Sequence, residues 1–153
     1  MAEASANQMM AAAATLGLKL HLLNASAESD FDAVFAKLRQ LQASALVISA
    51  GTAIFAGRSA RLGALATEHG VPAVGANFAF VRGGGLMSYG ADIIEAYRLT
   101  GGYVGRILKG ERPADLPVQR ATKIELMIDL KAAKALGITL PMTLLGRADE
   151  VIE

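Results

Sequence analysis

Cysteine and tryptophan are absent from this 153-residue chain, histidine occurs twice, proline four times, and aromatic residues make up 5% of the whole. Without cysteine there is no disulfide framework, no thiol nucleophile and no thiolate metal site. The two histidines do not replace them. His69 stands beside Gly70 at the end of a predicted helix, where the helix dipole favours an imidazolium, and His21 falls inside a predicted strand. No carboxylate-rich helix offers partners three or four residues away, so neither a metal nor a cofactor is expected. A charge excess is missing as well: fifteen basic against fourteen acidic residues give a formal +1. With no basic run interleaved with aromatics, nucleic acid is not expected as a partner. Long apolar runs are also lacking. The most apolar helical segment, 91–109, carries Asp92, Glu95, Arg98, Arg106 and Lys109. No stretch reaches the roughly 18 continuous apolar residues that a membrane-spanning helix needs.

What the chain does have is small apolar side chains. Hydrophobic residues come to 53% against 19% charged, enough for the core of a single domain, and thirty alanines call for close helix-to-sheet contacts instead of large aromatic fillers. Residues 3–16 have helix composition with Gly17 as the stop, and Leu18 to Leu23 reads as a strand. Ser29 followed by Asp32 looks like a helix start, and Phe31, Val34, Phe35, Leu38 and Leu41 share one face. Ala45 to Ser49 is a continuous apolar run, the pattern of a strand buried on both faces. A helix over 54–69, a strand over 71–75 and a short strand over Leu86 to Tyr89 follow.

This alternation predicts an α/β fold: right-handed βαβ units in a doubly wound parallel sheet with helices on both faces, three or four strands lying in 18–90. Connections of ten or more residues are too long for hairpins. A long helix over 91–109 has the stripe Ile94, Tyr97, Gly101, Val104 and Leu108. Gly101, Gly102 and Gly105 each cost about 1 kcal/mol relative to alanine inside a helix, and close approach of another backbone is the expected reason. Glu111 to Pro117 reads as a linker and Ile124 to Ile128 as a strand. Asp129 caps a short helix ending at Leu136-Gly137, Pro141 opens another, and Asp149-Glu150 reads as a solvated tail.

The chemistry of catalysis is mostly missing. Gly-x-Ser-x-Gly, the phosphate-binding Gly-x-x-x-x-Gly-Lys-Ser/Thr and Gly-x-Gly-x-x-Gly after a first strand do not occur. Gly83-Gly84-Gly85 opens no predicted helix, so it reads as a mobile hinge or turn and not as a phosphate cradle. In an open parallel sheet, ligands bind outside the carboxyl ends of the strands. Those ends carry Asn24 and Ser26, then Ser49 and Thr52, then Asn77 and Phe78, then Ser88 and Tyr89. The set is polar, uncharged and partly aromatic. It suits orienting a small organic solute by hydrogen bonds against an aromatic wall, and it pairs no nucleophile with a base. Taken singly, Asn24, Ser26 and Thr52 serve equally well as turn and cap residues.

From Gly85 onward, short motifs follow in a fixed order: Gly85-Leu86-Met87-Ser88-Tyr89-Gly90, then Arg112-Pro113-Ala114-Asp115-Leu116-Pro117, then Thr122-Lys123-Ile124-Glu125-Leu126-Met127-Ile128-Asp129. Lys131-Ala132-Ala133-Lys134-Ala135-Leu136-Gly137-Ile138-Thr139-Leu140-Pro141 and Arg147-Ala148-Asp149-Glu150-Val151-Ile152-Glu153 complete the series. In it the sequence resembles the C-terminal half of the ABC-transporter substrate-binding proteins, periplasmic components of bacterial importers with a two-lobe, type I solute-binding fold. The resemblance weakens but persists back to about Leu18. It implies non-catalytic binding of a small solute, amino-acid-like and with aromatic ones among them, clamped between lobes by hinge closure and handed to an ABC permease.

The resemblance also implies an organisation. Residues 1–90 form the ligand-binding lobe, 91–122 pack on a first lobe or a partner subunit, and 123–153 supply a crossover strand and C-terminal helices. Periplasmic or other extracytoplasmic placement goes with the family, yet Met1 to Gln8 lack the basic and apolar parts of an export leader. The expectation is therefore a truncated product, an engineered half or an orphan reading frame. A helix stripe made for a lobe that is not present leaves apolar surface bare, which predicts a homodimer through Ile94, Tyr97, Val104 and Leu108.

The residues by themselves leave other functions open. An effector-sensing domain of a regulator shares the architecture. A flavodoxin-like or nucleotide-using enzyme needs Asn24 to Ser29 as its phosphate loop, and a truncated lobe that self-associates binds no ligand at all.

Overall fold

Alternating helical and extended segments assemble on one five-stranded sheet, described by a computed structural model over residues 2–49, 53–119 and 123–153. The strands are β1 Leu46–Val47, β2 Ala73–Gly75, β3 Met87–Ala91, β4 Ile124–Asp129 and β5 Glu150–Ile152, and they lie side by side in that order. The first three run parallel, as their long connections require. β4 runs antiparallel to β3, with Gly90 opposite Glu125 and Ser88 opposite Met127, and β5 is parallel to β4. The sheet is thus mostly parallel, not parallel throughout. The reversal follows from the path of the chain: α6 (Ile93–Leu108) and the linker behind it return to the end of the sheet that β3 had just reached. There the Asp92 N–H donates to the Lys123 carbonyl at 3.0 Å.

The core forms where the apolar periods predict it. α1 (Ala2–Thr15) forms the first helix, and α2 (Phe31–Gln40) buries Phe31, Phe35 and Leu38. These meet Leu62, Leu65 and Ala66 of α4 (Ser59–Glu68) and Phe80 and Val81 of α5 (Phe78–Arg82), while Ala73 and Met127 close the cluster from the sheet. Next to Met127 in β4, Ile128 is also fully buried. Successive strand residues point to opposite faces, so at β4 both faces of the sheet are covered. α7 (Leu130–Ala135) buries Ala132 and Ala133 and starts on the Asp129 carboxylate, which accepts from the Ala132 N–H at 3.0 Å.

Several expectations are corrected. Leu18 to Leu23 makes no ladder: Leu18, Leu20 and Leu22 are exposed, and only Leu23 packs on the core. The alternation is there, but β1 is two residues long and gives it no edge to pair with. The helix expected over 54–69 is two, α3 (Ala53–Gly57) and α4, because Arg58 leaves helical dihedrals at φ −116° and ψ 19° and pairs with Glu28 at 2.6 Å. Of the hinge or turn expected at Gly83 to Gly85, the structure shows a closely packed turn. A Cβ on Gly83 would overlap the backbone of Ala60, and one on Gly85 the ring of Phe80. The supposed tail is β5, tied in by Asp149, whose carboxylate accepts from Leu126 N at 2.8 Å. A short helix, α8 (Met142–Leu145), follows Pro141 as expected.

α6 stands apart. It has no buried residue, with Ile94 70%, Tyr97 71%, Val104 50% and Leu108 82% exposed. Among the described residues, no atom comes within 4 Å of where a Cβ on Gly101, Gly102 or Gly105 would lie. The three glycines cost helix stability without any close neighbour among the described residues to repay it.

Candidate functional site

The carboxyl ends of β2 and β3 are drawn together by a close backbone contact. A Cβ on Gly90, near the end of β3, would overlap the carbonyl oxygen of Ala76, the residue that follows β2. Glycine at 90 lets the loop leaving β2 lie directly against β3. One residue later the chain turns into α5, and the Asn77 side-chain oxygen accepts from Phe80 N at 3.2 Å, capping that helix. Phe78 occupies the first turn, its ring held under the Arg82 guanidinium at 5.4 Å. Between these elements lies a hollow lined by Ala76, Asn77, Phe78, Ser88, Glu125 and Met127 among others. Its volume is ≈ 10 Å³, about the room needed for one water.

Of the residues predicted from strand ends, Asn77, Phe78 and Ser88 meet at this hollow. Tyr89 does not. It follows Ser88 in β3, so it points to the opposite face, where it is 64% exposed. Asn24 lines a different and wider hollow of ≈ 450 Å³ between the loop at 23–30 and α2, together with Asp30 and Lys37. Ser26 lies on the same loop and gives its N–H to Asp30 Oδ2 at 2.8 Å, as Ala27 does at 3.0 Å. These bonds, Ser26 foremost, hold the Asp30 carboxyl below its ordinary 3.8. They also engage two backbone amides of the loop that a phosphate would otherwise use. Ser49, half-buried just beyond β1, lines neither hollow. Thr52 lies outside the described residues.

Sequence reasoning missed the charged part of the site. Asp92 caps α6, its Oδ1 accepting from Ile94 N at 2.9 Å and Glu95 N at 3.0 Å, while its Oδ2 accepts from Lys123 Nζ at 2.9 Å. The same ammonium donates to Glu125 Oε1 at 2.6 Å. The Glu95 N–H first, then Lys123, pull the Asp92 carboxyl below 3.8. Glu125 first, then Asp92, raise Lys123 above 10.5. Two carboxylates share one ammonium, so the formal charge of the cluster is one negative. The available signal was the Lys123-x-Glu125 spacing, which places both side chains on one face of a strand. Their meeting with Asp92 depends on the β3–β4 register, which the sequence does not print.

The arrangement can hydrogen-bond and can attract charge. Ser88 is 2% exposed and lines the hollow, yet among the described residues its hydroxyl has no hydrogen-bond partner. Asn77 uses its oxygen in the cap and leaves its amide hydrogens available. No group of three or more His, Cys, Asp or Glu side chains suited to a metal ion occurs among the described residues. No helix among them is long and apolar enough to cross a membrane.

Comparison with known proteins agrees with the geometry. Residues 2–152 match the model of the family described as ABC transporter substrate binding protein. A search of curated proteins gives no significant match. Among solved structures, a conserved domain protein from Vibrio cholerae O1 biovar El Tor superposes with a TM-score of 0.83 at 28% identity, covering 98% of this chain and 50% of that one. An ABC domain from Streptococcus pneumonia, solved in complex with L-Trp, gives a TM-score of 0.84 at 24% identity, covering 99% and 50%. A ligand-free, open substrate binding protein with adhesive properties from Clostridium difficile gives 0.65 at 20% identity, again covering 99% and 50%. The last two likenesses concern the fold alone. The chain spans about half the length of each of these structures.

Proposed function

The chain belongs to the ABC transporter substrate binding protein family, and on that premise we propose that it acts as the solute-binding lobe of a bacterial importer's receptor. Residues 1–90 serve as the ligand-binding lobe, 91–122 pack on a first lobe or a partner subunit, and 123–153 provide the crossover strand and C-terminal helices. A small solute of amino-acid type, aromatic ones included, rests against the carboxyl ends of β2 and β3. It is handed unchanged to an ABC permease, outside the cytoplasmic membrane, and no resident cofactor takes part.

The observation that carries this reading is the hollow at Asn77, Phe78 and Ser88. It offers a free hydroxyl, free amide hydrogens and an aromatic ring, but with ≈ 10 Å³ it holds no solute alone. Such a surface suits one wall of a cleft whose other wall comes from elsewhere. The structural neighbour holding L-Trp supports an amino-acid solute. Calorimetric titration of the chain with a panel of L-amino acids is the test. Millimolar binding is expected, with aromatic side chains ahead of aliphatic ones, because a single wall offers only part of the contacts of a closed cleft. Phe78→Leu should narrow that preference. Micromolar binding by the chain alone, or indifference to every amino acid, would overturn the reading.

The bare face of α6 has a second consequence. Ile94, Tyr97, Val104 and Leu108 form a stripe larger than isolated exposed side chains explain, and the glycines between them admit a second backbone. For this chain by itself, we propose that a second copy covers the stripe in a twofold dimer, the commonest closed assembly.

A further inference from the structure

The geometry points to Glu125 and Ser88 as a recognition site for the protonated amine of the solute, so that the half-cleft selects ammonium-bearing molecules over their des-amino counterparts. This rests on the reading of the hollow as a solute-binding wall. Two independent observations support it. The first is charge: Asp92, Lys123 and Glu125 together carry two carboxylates against one ammonium. Lys123 is shared between both acids, and only Oε1 of Glu125 is engaged, at 2.6 Å. Among the described residues, Oε2 of Glu125 has no partner, and Glu125 lines the hollow.

The second is the buried hydroxyl of Ser88, 2% exposed and without a hydrogen-bond partner among the described residues. An unpartnered polar group is costly in a sealed interior. No sealed side-chain polar atom among the described residues lacks a partner, so this hydroxyl faces the hollow instead of being shut in the core. Ser88 pairs with Met127 and Gly90 with Glu125 across the antiparallel β3–β4 ladder. Directly opposed residues share a face, and those two steps apart do also, so Ser88 and Glu125 lie on one side of the sheet. A hydroxyl oxygen and a carboxylate oxygen on one face, at diagonal positions of the ladder, both accept from an ammonium, which has three N–H donors to give. A carboxylate ligand meets repulsion from the net negative cluster at the same place. Phe78, braced by Arg82, stands beside them as the apolar surface for the rest of the solute.

Three probes of one shape separate the possibilities: L-tryptophan, tryptamine, which lacks the carboxylate, and indole-3-propionate, which lacks the amine. Ligand-observed NMR titrations of the chain should place tryptophan and tryptamine about tenfold or more ahead of indole-3-propionate, the scale of one charge-assisted hydrogen bond. Glu125→Gln should abolish that ratio, and Ser88→Ala should reduce it severalfold. Lys123→Met, which leaves Glu125 uncompensated, should move the ratio the other way and favour the amines further. Far-UV circular dichroism and thermal melts establish that each variant is folded. If the parent chain binds the indoles with the same affinity whether or not they carry an amine, the amine site is wrong while the solute-binding reading stands. An unchanged ratio in both Glu125→Gln and Lys123→Met also overturns the site. If none of the three probes binds and no other amino acid does, the reading of the hollow falls together with the inference.

Discussion

α2 and α6 both carry apolar residues at helical spacing, yet Phe31, Phe35 and Leu38 of α2 are buried while α6 buries nothing. The two sequences differ in what stands beside the stripe. α2 presents two phenylalanines and a leucine to α4 and α5, which the same chain supplies within the next fifty residues. α6 presents Ile94, Tyr97, Val104 and Leu108 around three glycines, and no element among the described residues comes to meet them. An apolar period therefore reports that a face requires a partner, and says nothing about whether that partner is in the same chain.

The widest gap between the two regions should appear in stability. Phe80, fully buried among α2, α4 and the sheet, fills the centre of the core. Phe80→Ala is expected to cost about 3–5 kcal/mol, from lost transfer energy and the cavity left behind. Val104→Ala, on the bare face of α6, should fall within about 0.5 kcal/mol of the parent. Urea unfolding in dilute solution measures both. A cost at Val104 approaching that at Phe80 would mean that α6 is covered within one chain, and the contrast would be lost.

Much of this was legible in the sequence, and the failures have physical causes. The helices at 31–40, 59–68 and 93–108 follow from periods long enough to outweigh local noise. Leu18 to Leu23 has the alternation of a strand, but a strand exists only when an edge is there to pair with it. β5 has three residues, too few for a period, and its anchor, the Asp149 bond to Leu126, spans 23 positions. At the site, Asn77, Phe78 and Ser88 could be read from strand ends, because the end of a parallel strand is a local feature. Asn77 also caps α5, a role that its position before Phe78-Ala79-Phe80 could have signalled. Glu125 could not be read as part of the site, since it reaches the hollow only through its register opposite Gly90.

A smaller difference concerns acid. Asp30 holds the loop before α2, and Asp92 holds the start of α6 and Lys123. Both carboxyls lie below their ordinary 3.8 in the folded chain, so each contributes stability that is present above that value. As pH falls through the folded value, protonation removes the contribution. Lys123, raised above 10.5, works in the opposite sense: its contribution is full below 10.5 and is lost only as pH rises through the higher folded value. Thermal melts should therefore be level from neutrality down to about pH 4 and fall below it. Asp92→Asn should flatten part of the acid fall and also the alkaline one, whereas Asp30→Asn should flatten only the acid side. Because Lys123 is exposed and the two carboxyls are only half-buried, added salt should weaken both effects. An acid limb that is identical in all three proteins would show that the bonds at Asp30 and Asp92 are balanced by equal interactions in the unfolded chain.

The finest test uses one methyl group to ask what covers α6. Gly101 lies inside the helix, and no atom of the described residues comes within 4 Å of where its Cβ would lie. For a solitary chain, Gly101→Ala removes the entropic cost of glycine without a clash, so stability should rise by about 0.5–1 kcal/mol. In a dimer built on close approach of two such helices, the same methyl pushes the backbones apart. The expected outcome is a gain in dilute solution that shrinks at tens of micromolar, where light scattering should find less dimer than for the parent. Val104→Asp should abolish the dimer and leave the dilute stability nearly unchanged. Should the parent scatter as a clean monomer at tens of micromolar, and should Gly101→Ala gain equally at every concentration, no second copy occupies the stripe. The glycines of α6 would then answer to a surface that this chain meets only in some other partner.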